Sequence, residues 1–339
     1  MAHVTAPLFG LDPATEIERI VRIIQHQVHT TLRRDGVVIA MSGGIDSSMC
    51  AALCTRALGP ENVLGLSLPE RHSSGASGTL AQELSVALGI ELVTISIEGV
   101  LQAAGCYASQ HASMRDVFPE YREGDPFKII LPSLLAGDRL NIPRVTWRRA
   151  DGTEHTVRIP RVPYLRLVAA TNFKQRTRTM TAYFHADRLN RAVCGTPNRL
   201  EFDQGFFVKG GDGLSDFAPI AHLYKSQVYA LGAAIGLPAG ILGRQPTTDT
   251  FPLEQSQEEF YFSAPYAIMD ACLYGVNHGH SPDLVASSTG LTVEQIERMY
   301  KDIEAKRRMT QYLHLRTLTV DPIEPIDERV SRTVAESRP

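Results

Sequence analysis

The junction at residues 37–48 constrains this chain more than any other stretch. Val37-Val38-Ile39-Ala40-Met41 is an unbroken apolar run, followed directly by Ser42-Gly43-Gly44-Ile45-Asp46-Ser47-Ser48 and then by a helical pattern. Such a run fits a strand buried on both faces, as in a parallel sheet covered by helices. The paired glycines allow backbone angles closed to other residues and let peptide N–H groups approach an anion. The helix that follows turns its positive end toward the same point. Strand, glycine turn and helix start together predict a phosphate seat, to which Ser42, Ser47 and Ser48 add hydroxyl donors. Asp46 would repel a bare phosphate, so its presence points to Mg2+ held beside it.

The neighbouring segments keep the same rhythm. Asp12-Pro13 reads as a helix cap and first helical residue, with Ile17, Ile20, Val21, Ile24 and Val28 at helical spacing. Residues 49–58 and 79–88 read as helices closed by Gly59 and Gly89, and residues 63–68 and 92–96 as strands. The alternation predicts an α/β fold, a doubly wound parallel sheet with ligands at the carboxyl ends of its strands. From Gly124 to Arg166 the rhythm breaks. Asp151-Gly152 is a hairpin signal between residues 145–147 and 156–159. We read 124–166 as an inserted excursion whose arginines (Arg148, Arg149, Arg158, Arg161, Arg166) are solvated. Helical chain resumes near Phe173, a short strand is expected at residues 192–194, and the C-terminal third is mostly helical. Residues 1–323 are expected to form one domain and 324–339 a mobile tail.

The loop is neither a Walker A sequence nor Gly-x-Gly-x-x-Gly. It resembles the loop of the ATP pyrophosphatases, which cleave ATP between the α and β phosphates. Downstream, Gly195-Thr196-Pro197-Asn198-Arg199-Leu200-Glu201, Gly205-Phe206-Phe207-Val208-Lys209 and Gly211-Asp212-Gly213-Leu214-Ser215-Asp216-Phe217-Ala218-Pro219-Ile220 resemble consecutive motifs of the NAD synthetase family. Tyr224-Lys225-Ser226-Gln227-Val228 and Gln245-Pro246-Thr247-Thr248-Asp249 continue the likeness in order. It covers about residues 15–120 and 170–310. The resemblance implies a Rossmann-like fold of the adenine-nucleotide α-hydrolase type. It also implies amidation of deamido-NAD (nicotinic acid adenine dinucleotide) to NAD through an adenylated carboxylate, with ATP as co-substrate and release of AMP and pyrophosphate. By the same likeness Ser42, Gly43, Gly44, Ile45, Asp46, Ser47, Ser48, Thr196, Lys225 and Thr247 contact ATP, and Asp46 and Glu201 bind Mg2+. Arg176, Lys209, Asp216 and Lys306 fall where the family binds deamido-NAD, and a homodimer is implied.

The chemistry asks for acids and cations, since a carboxylate attacking the α-phosphorus meets a crowd of negative charge. It asks for no covalent nucleophile. Glutamine-using relatives carry an amidohydrolase domain ahead of the synthetase, whereas about forty residues precede Ser42. Free ammonia, or ammonia from a separate protein, is therefore expected. The excursion and the segment 258–266 depart from the family pattern, which leaves a ligase for another carboxylate as the alternative.

Other function classes have weaker signals. Residues 281–308, two helical stretches around Gly290, have the outline of a helix-turn-helix. A formal net charge of −3 supplies no footprint for nucleic acid or an anionic membrane. His278-Gly279-His280 lacks a third ligand nearby and reads as a polar loop. The five cysteines are odd in number and scattered, fitting free thiols. No apolar run of membrane-spanning length and no signal-peptide pattern occurs, so a cytoplasmic location is expected.

Overall fold

The computed structural model describes residues 10–131, 142–245, 251–262 and 264–323. The expected ATP contact Thr247 and the expected tail 324–339 lie outside them.

Helix α1 (Pro13–Gln25) is capped by Asp12, whose carboxylate accepts the Thr15 N–H at 2.8 Å. A π-helical turn, His26–Thr31, carries the chain to strand β1 (Val37–Ala40). Then come α2 (Ile45–Leu58), β2 (Val63–Ser67), α3 (Gly75–Leu88) and β3 (Glu91–Thr94), followed by α4 (Glu98–Ala103) and α5 (Cys106–Val117). Both α2 and α3 begin about one turn earlier than the sequence periodicity suggests. Their first turns hold Asp46, Ser47 and Ser77, poor helix formers in a helix interior but well suited to its start.

The excursion contributes β4 (Phe127–Ile130), β5 (Arg144–Arg148) and β6 (Glu154–Arg158), an antiparallel sheet in the order β4-β5-β6. The hairpin was legible in the sequence. Strand β4 was not, because its pairing with β5 is made across intervening chain and not by a tight turn. Helix α6 (Arg161–Leu189) begins at Arg161, earlier than Phe173. Pro160 precedes it in an extended conformation, the kind of boundary at which helices begin. After β7 (Ala192–Cys194) the remaining elements are helices: α7 (Arg199–Gln204), α8 (Lys225–Ile235), α9 (Ala239–Leu242), α10 (Tyr266–Asn277), α11 (Pro282–Thr289) and α12 (Val293–His314).

The main sheet is parallel, in the order β3-β2-β1-β7. Val37 and Ile39 pack into a core with α1, α2, α3 and α8, while Val38 points into a second core with α4, α5 and α6. Alternation along one strand thus buries both faces, as the apolar run requires. Strands β2 and β3 lie to one side of β1 and β7 to the other, so the chain reverses direction beside the end of β1. Ligands bind at such a switch point in open α/β sheets. The pair α11 and α12 packs against α10 in a C-terminal core that buries Val285, Ile296, Met299 and Ile303. Among the described residues no helix is long and apolar enough to cross a membrane.

Candidate active site

Backbone shape comes first. Gly43 has φ +71, and a Cβ there would stand 2.6 Å from the Ser77 carbonyl oxygen. Both the left-handed angle and the close approach to α3 demand glycine. Gly44 N–H donates to Ser42 Oγ at 3.3 Å, and the hydroxyls of Ser47 and Ser48 donate to the Gly44 carbonyl at 3.2 and 2.8 Å. The loop is held by its own serines. The first-turn N–H groups of α2, which have no intrahelical partner, face the end of the sheet.

A cavity of ≈ 470 Å³ opens over this loop, lined by Ser42, Gly44, Ile45, Asp46 and Ser47, by Thr196 just past β7 and by Glu201 of α7. Lys225, at the start of α8, is fully buried and paired with the Asp46 carboxylate. Asn198 Nδ2 donates to the other Asp46 oxygen at 3.2 Å. Asn198 also caps α7: its side chain accepts the Glu201 N–H at 3.2 Å, and Glu201 Oε2 accepts the Asn198 N–H at 3.1 Å. One capping box thereby fixes Glu201 and aims an amide at Asp46. Asp270 in turn accepts the Lys225 and Ser226 N–H groups at 3.1 and 2.7 Å, securing the start of α8.

The electrostatics describe a strained set of charges. Burial, then the negative Asp46, push the Glu201 carboxyl up to about 8, against the opposing pull of Lys225. Burial alone would lower Lys225, but Asp46 and Glu201 hold its ammonium above the ordinary lysine range. Asp212, on the same cavity wall, is exposed and accepts the Val208 N–H at 2.8 Å. Adding a cation would relieve Asp46 and Glu201 together. Among the described residues no set of three or more His, Cys, Asp or Glu side chains is placed to hold a metal. Two carboxylates completed by phosphate oxygens and water suit Mg2+, which keeps few protein ligands.

Several side chains at or behind the cavity wall carry no sequence motif. Arg244 lines the cavity and donates to Ser74 Oγ at 3.2 Å and Ser77 Oγ at 2.8 Å, beside Gly43. Arg178 lines it from α6 and donates to the Leu68 carbonyl at 3.1 Å. Behind that wall Lys174 and Glu70 form a buried ion pair at 3.0 Å, with Tyr107 donating to Glu70 at 2.9 Å. His72 lies 3.0 Å from Lys174 Nζ and is lowered to about 4, by burial and then by the lysine charge. No local motif announces these contacts, because each joins residues far apart in sequence.

The four residues assigned to the dinucleotide do not line the cavity. Three of them gather outside it along α6. Arg176 Nε donates to the Lys209 carbonyl at 3.2 Å, Lys209 Nζ donates to the carbonyls of Tyr312 and Leu315 at 2.8 and 2.9 Å, and Tyr183 donates to Asp216 at 3.2 Å. Lys306 is apart from them, buried, 2.7 Å from Asp302 and 5.0 Å from the ring of Tyr261, which does line the cavity. The five cysteines are free and buried. His278 stacks on Tyr274 at 3.9 Å, a structural use of that loop. The excursion's arginines meet local acids: Arg148 with Glu154, Arg149 with Glu120, Arg166 with Asp116.

Comparison with known proteins follows the same lines. The sequence profile of the family described as NAD synthase matches residues 16–119 and 154–310. The chain is 52% identical over 311 residues to the NH(3)-dependent NAD(+) synthetase of Mesorhizobium japonicum, covering 92% of this chain and 98% of that protein. It is 49% identical to the NH(3)-dependent NAD(+) synthetase of Rhizobium meliloti, covering 95% and 96%. Among solved structures, an NMN synthetase from Francisella tularensis superposes with a TM-score of 0.59 at 24% identity, covering 92% of this chain and 99% of that one. An NH3-dependent NAD synthetase from Campylobacter jejuni does so with 0.59 at 23%, covering 92% and 100%. At these identities the two structures speak for the fold.

Proposed function

The chain belongs to the NAD synthase family, and from that premise we propose that it converts deamido-NAD to NAD with ATP and ammonia. The carboxylate of deamido-NAD attacks the α-phosphorus of ATP, the bond to the β-phosphate oxygen breaks, and pyrophosphate leaves. Ammonia then attacks the acyl carbon of the adenylate, giving the amide, AMP and a proton. One observation carries this reading: the glycine loop, Thr196 and Glu201 line a single cavity at the sheet's switch point, and buried Lys225 is paired with Asp46 on its wall. Two relatives named for ammonia dependence match almost their whole length to this chain, which supports ammonia as the nitrogen donor.

The residues divide the work. Loop N–H groups and the start of α2 seat the pyrophosphate as its charge develops. Lys225 keeps Asp46 oriented and adds positive charge beside the reacting phosphates. Arg178 and Arg244 supply two more cations on the cavity wall. Asp46 and Glu201 would hold Mg2+, which when bound neutralises charge on the phosphates.

A pH dependence follows for the metal. Mg2+ requires Glu201 as a carboxylate, and in the free site that group is pushed up to about 8. Below that value each metal bound displaces a proton. Affinity for Mg2+ in the presence of a non-hydrolysable ATP analogue should rise about tenfold per pH unit up to about pH 8, then level off. Calorimetric titrations on both sides of that value check it, and a flat profile would remove Glu201 from the metal site.

A homodimer is part of this proposal. Met180 and Phe184 on α6 and Met309 and Tyr312 on α12 are 60–76% exposed beside Arg176 and Lys209. A second copy covering them would also enclose the outlying dinucleotide residues. The function itself is tested by ATP–pyrophosphate exchange with deamido-NAD against other acids, nicotinic acid mononucleotide included. Exchange with deamido-NAD is expected. Exchange only with another acid would favour a ligase for that carboxylate.

A further inference from the structure

The excursion is the part of the molecule that the family pattern leaves unexplained, since residues 120–153 lie outside the matched segments. Yet it reaches the cavity. Ile129 of β4 is buried and lines the cavity together with Phe251, Gln257 and Phe260. Residues 251–257 follow closely on the Gln245–Asp249 motif and have no regular secondary structure over residues 251–255. Something else must hold them in place, because an irregular segment stays put only where its polar groups and side chains find partners.

Those partners come from β4. The Leu253 N–H donates to the Phe127 carbonyl at 3.2 Å, Gln255 Nε2 donates to the Ile129 carbonyl, and Lys128 Nζ donates to the Glu254 carbonyl at 3.4 Å. Aromatic rings continue the link in both directions. Phe127 meets Phe251 edge-on at 5.8 Å, Phe251 meets Phe260 at 5.8 Å, and Phe260 meets Phe206 at 6.0 Å on the cavity wall. On the other side Phe127 meets Tyr121 at 6.0 Å, and Tyr121 meets Trp147 of β5 at 6.4 Å. Trp147 is the chain's single tryptophan.

We propose that the inserted sheet is a brace built into this chain, which holds residues 251–257 against the nucleotide cavity through Phe127, Ile129 and Gln255 and so preforms the wall that ATP meets. It rests on the reading of this cavity as the ATP site. Phe127 and Gln255 are positioning residues: they act through the segment they hold. Their contribution is preorganisation, so losing it falls on binding more than on chemistry.

The test uses the full chain with Gln255→Leu, which removes the amide donor and leaves the rings, and Phe127→Leu, which breaks the ring ladder. The KM for ATP should rise about tenfold in each, while kcat and the KM for deamido-NAD stay within about threefold. Saturating ATP should change Trp147 emission in the unaltered protein, and Gln255→Leu should need about tenfold more ATP for the same change. Glu154→Ala, on the solvent side of the hairpin, is the control and should match the unaltered protein. If Phe127→Leu fails to fold by circular dichroism, Gln255→Leu decides. Unchanged ATP dependence in a folded Gln255→Leu protein that still makes NAD would overturn the brace, as would an equal shift in Glu154→Ala. Absence of amidation in the unaltered protein would instead overturn the functional reading.

Discussion

Replacing Asp46 with asparagine should lower amide formation by about 10²–10³-fold or more while leaving the fold in place. The loss is expected because Asp46 sits on the cavity wall, where its charge would hold Mg2+ against the phosphates and already fixes Lys225. Retention of the fold follows from the coupling with Glu201. After burial, the Asp46 charge is the largest force that holds Glu201 high, so neutralising Asp46 lets Glu201 ionise more readily and inherit the pairing with Lys225. Asparagine can still accept from Asn198 through its side-chain oxygen. Circular dichroism and thermal unfolding should match the unaltered protein, and pyrophosphate exchange should vanish with turnover. If most activity survives at saturating Mg2+, Asp46 is not the residue that matters.

Lys225→Met should differ from it by damaging both activity and stability. Methionine fills much of the same volume but removes the buried cation that stands against Asp46 and Glu201. Breaking a buried pair by deleting one partner costs about 3–5 kcal/mol. Here the lower part of that range is expected, because Glu201 can take up a proton. That escape sets the sign of the pH dependence. A carboxyl whose folded pKa is raised binds its proton more tightly in the folded chain, so stability falls as pH rises from the unfolded value through the folded one. Without Lys225 the folded value of Glu201 climbs further. Urea unfolding should therefore show a smaller penalty near pH 5.5 than near pH 8.5. Equal penalties at both pH values would mean that lost packing, not lost charge, explains the change.

What could be read from the chain alone depended on how locally each feature is made. The run from Val37 through Ser48 was legible because strand, glycine turn and helix start are consecutive, and each residue's role follows from its neighbours. Glu201 was singled out only through the family resemblance of its motif, and the structure shows that motif to be a capping box of four residues. Arg244 was not: it reaches Ser74 and Ser77 across some 170 residues, and nothing near it in sequence distinguishes it from a surface arginine. The opposite error threatens the outlying set. Arg176, Lys209 and Asp216 match motifs, yet helical periodicity turns Gln175 and Arg178 toward the cavity and Arg176 toward the Lys209 carbonyl.

By itself, then, the sequence determined the parallel α/β core, the strand, glycine turn and helix start at residues 37–48 and the order of the motifs, because burial pattern and backbone freedom are properties of short stretches. Only the tertiary structure decided which charges share the cavity, that β4 pairs with the hairpin, and that the inserted sheet grips residues 251–257. Those contacts join segments separated by scores of residues, and their energies depend on burial and distance that no short stretch contains.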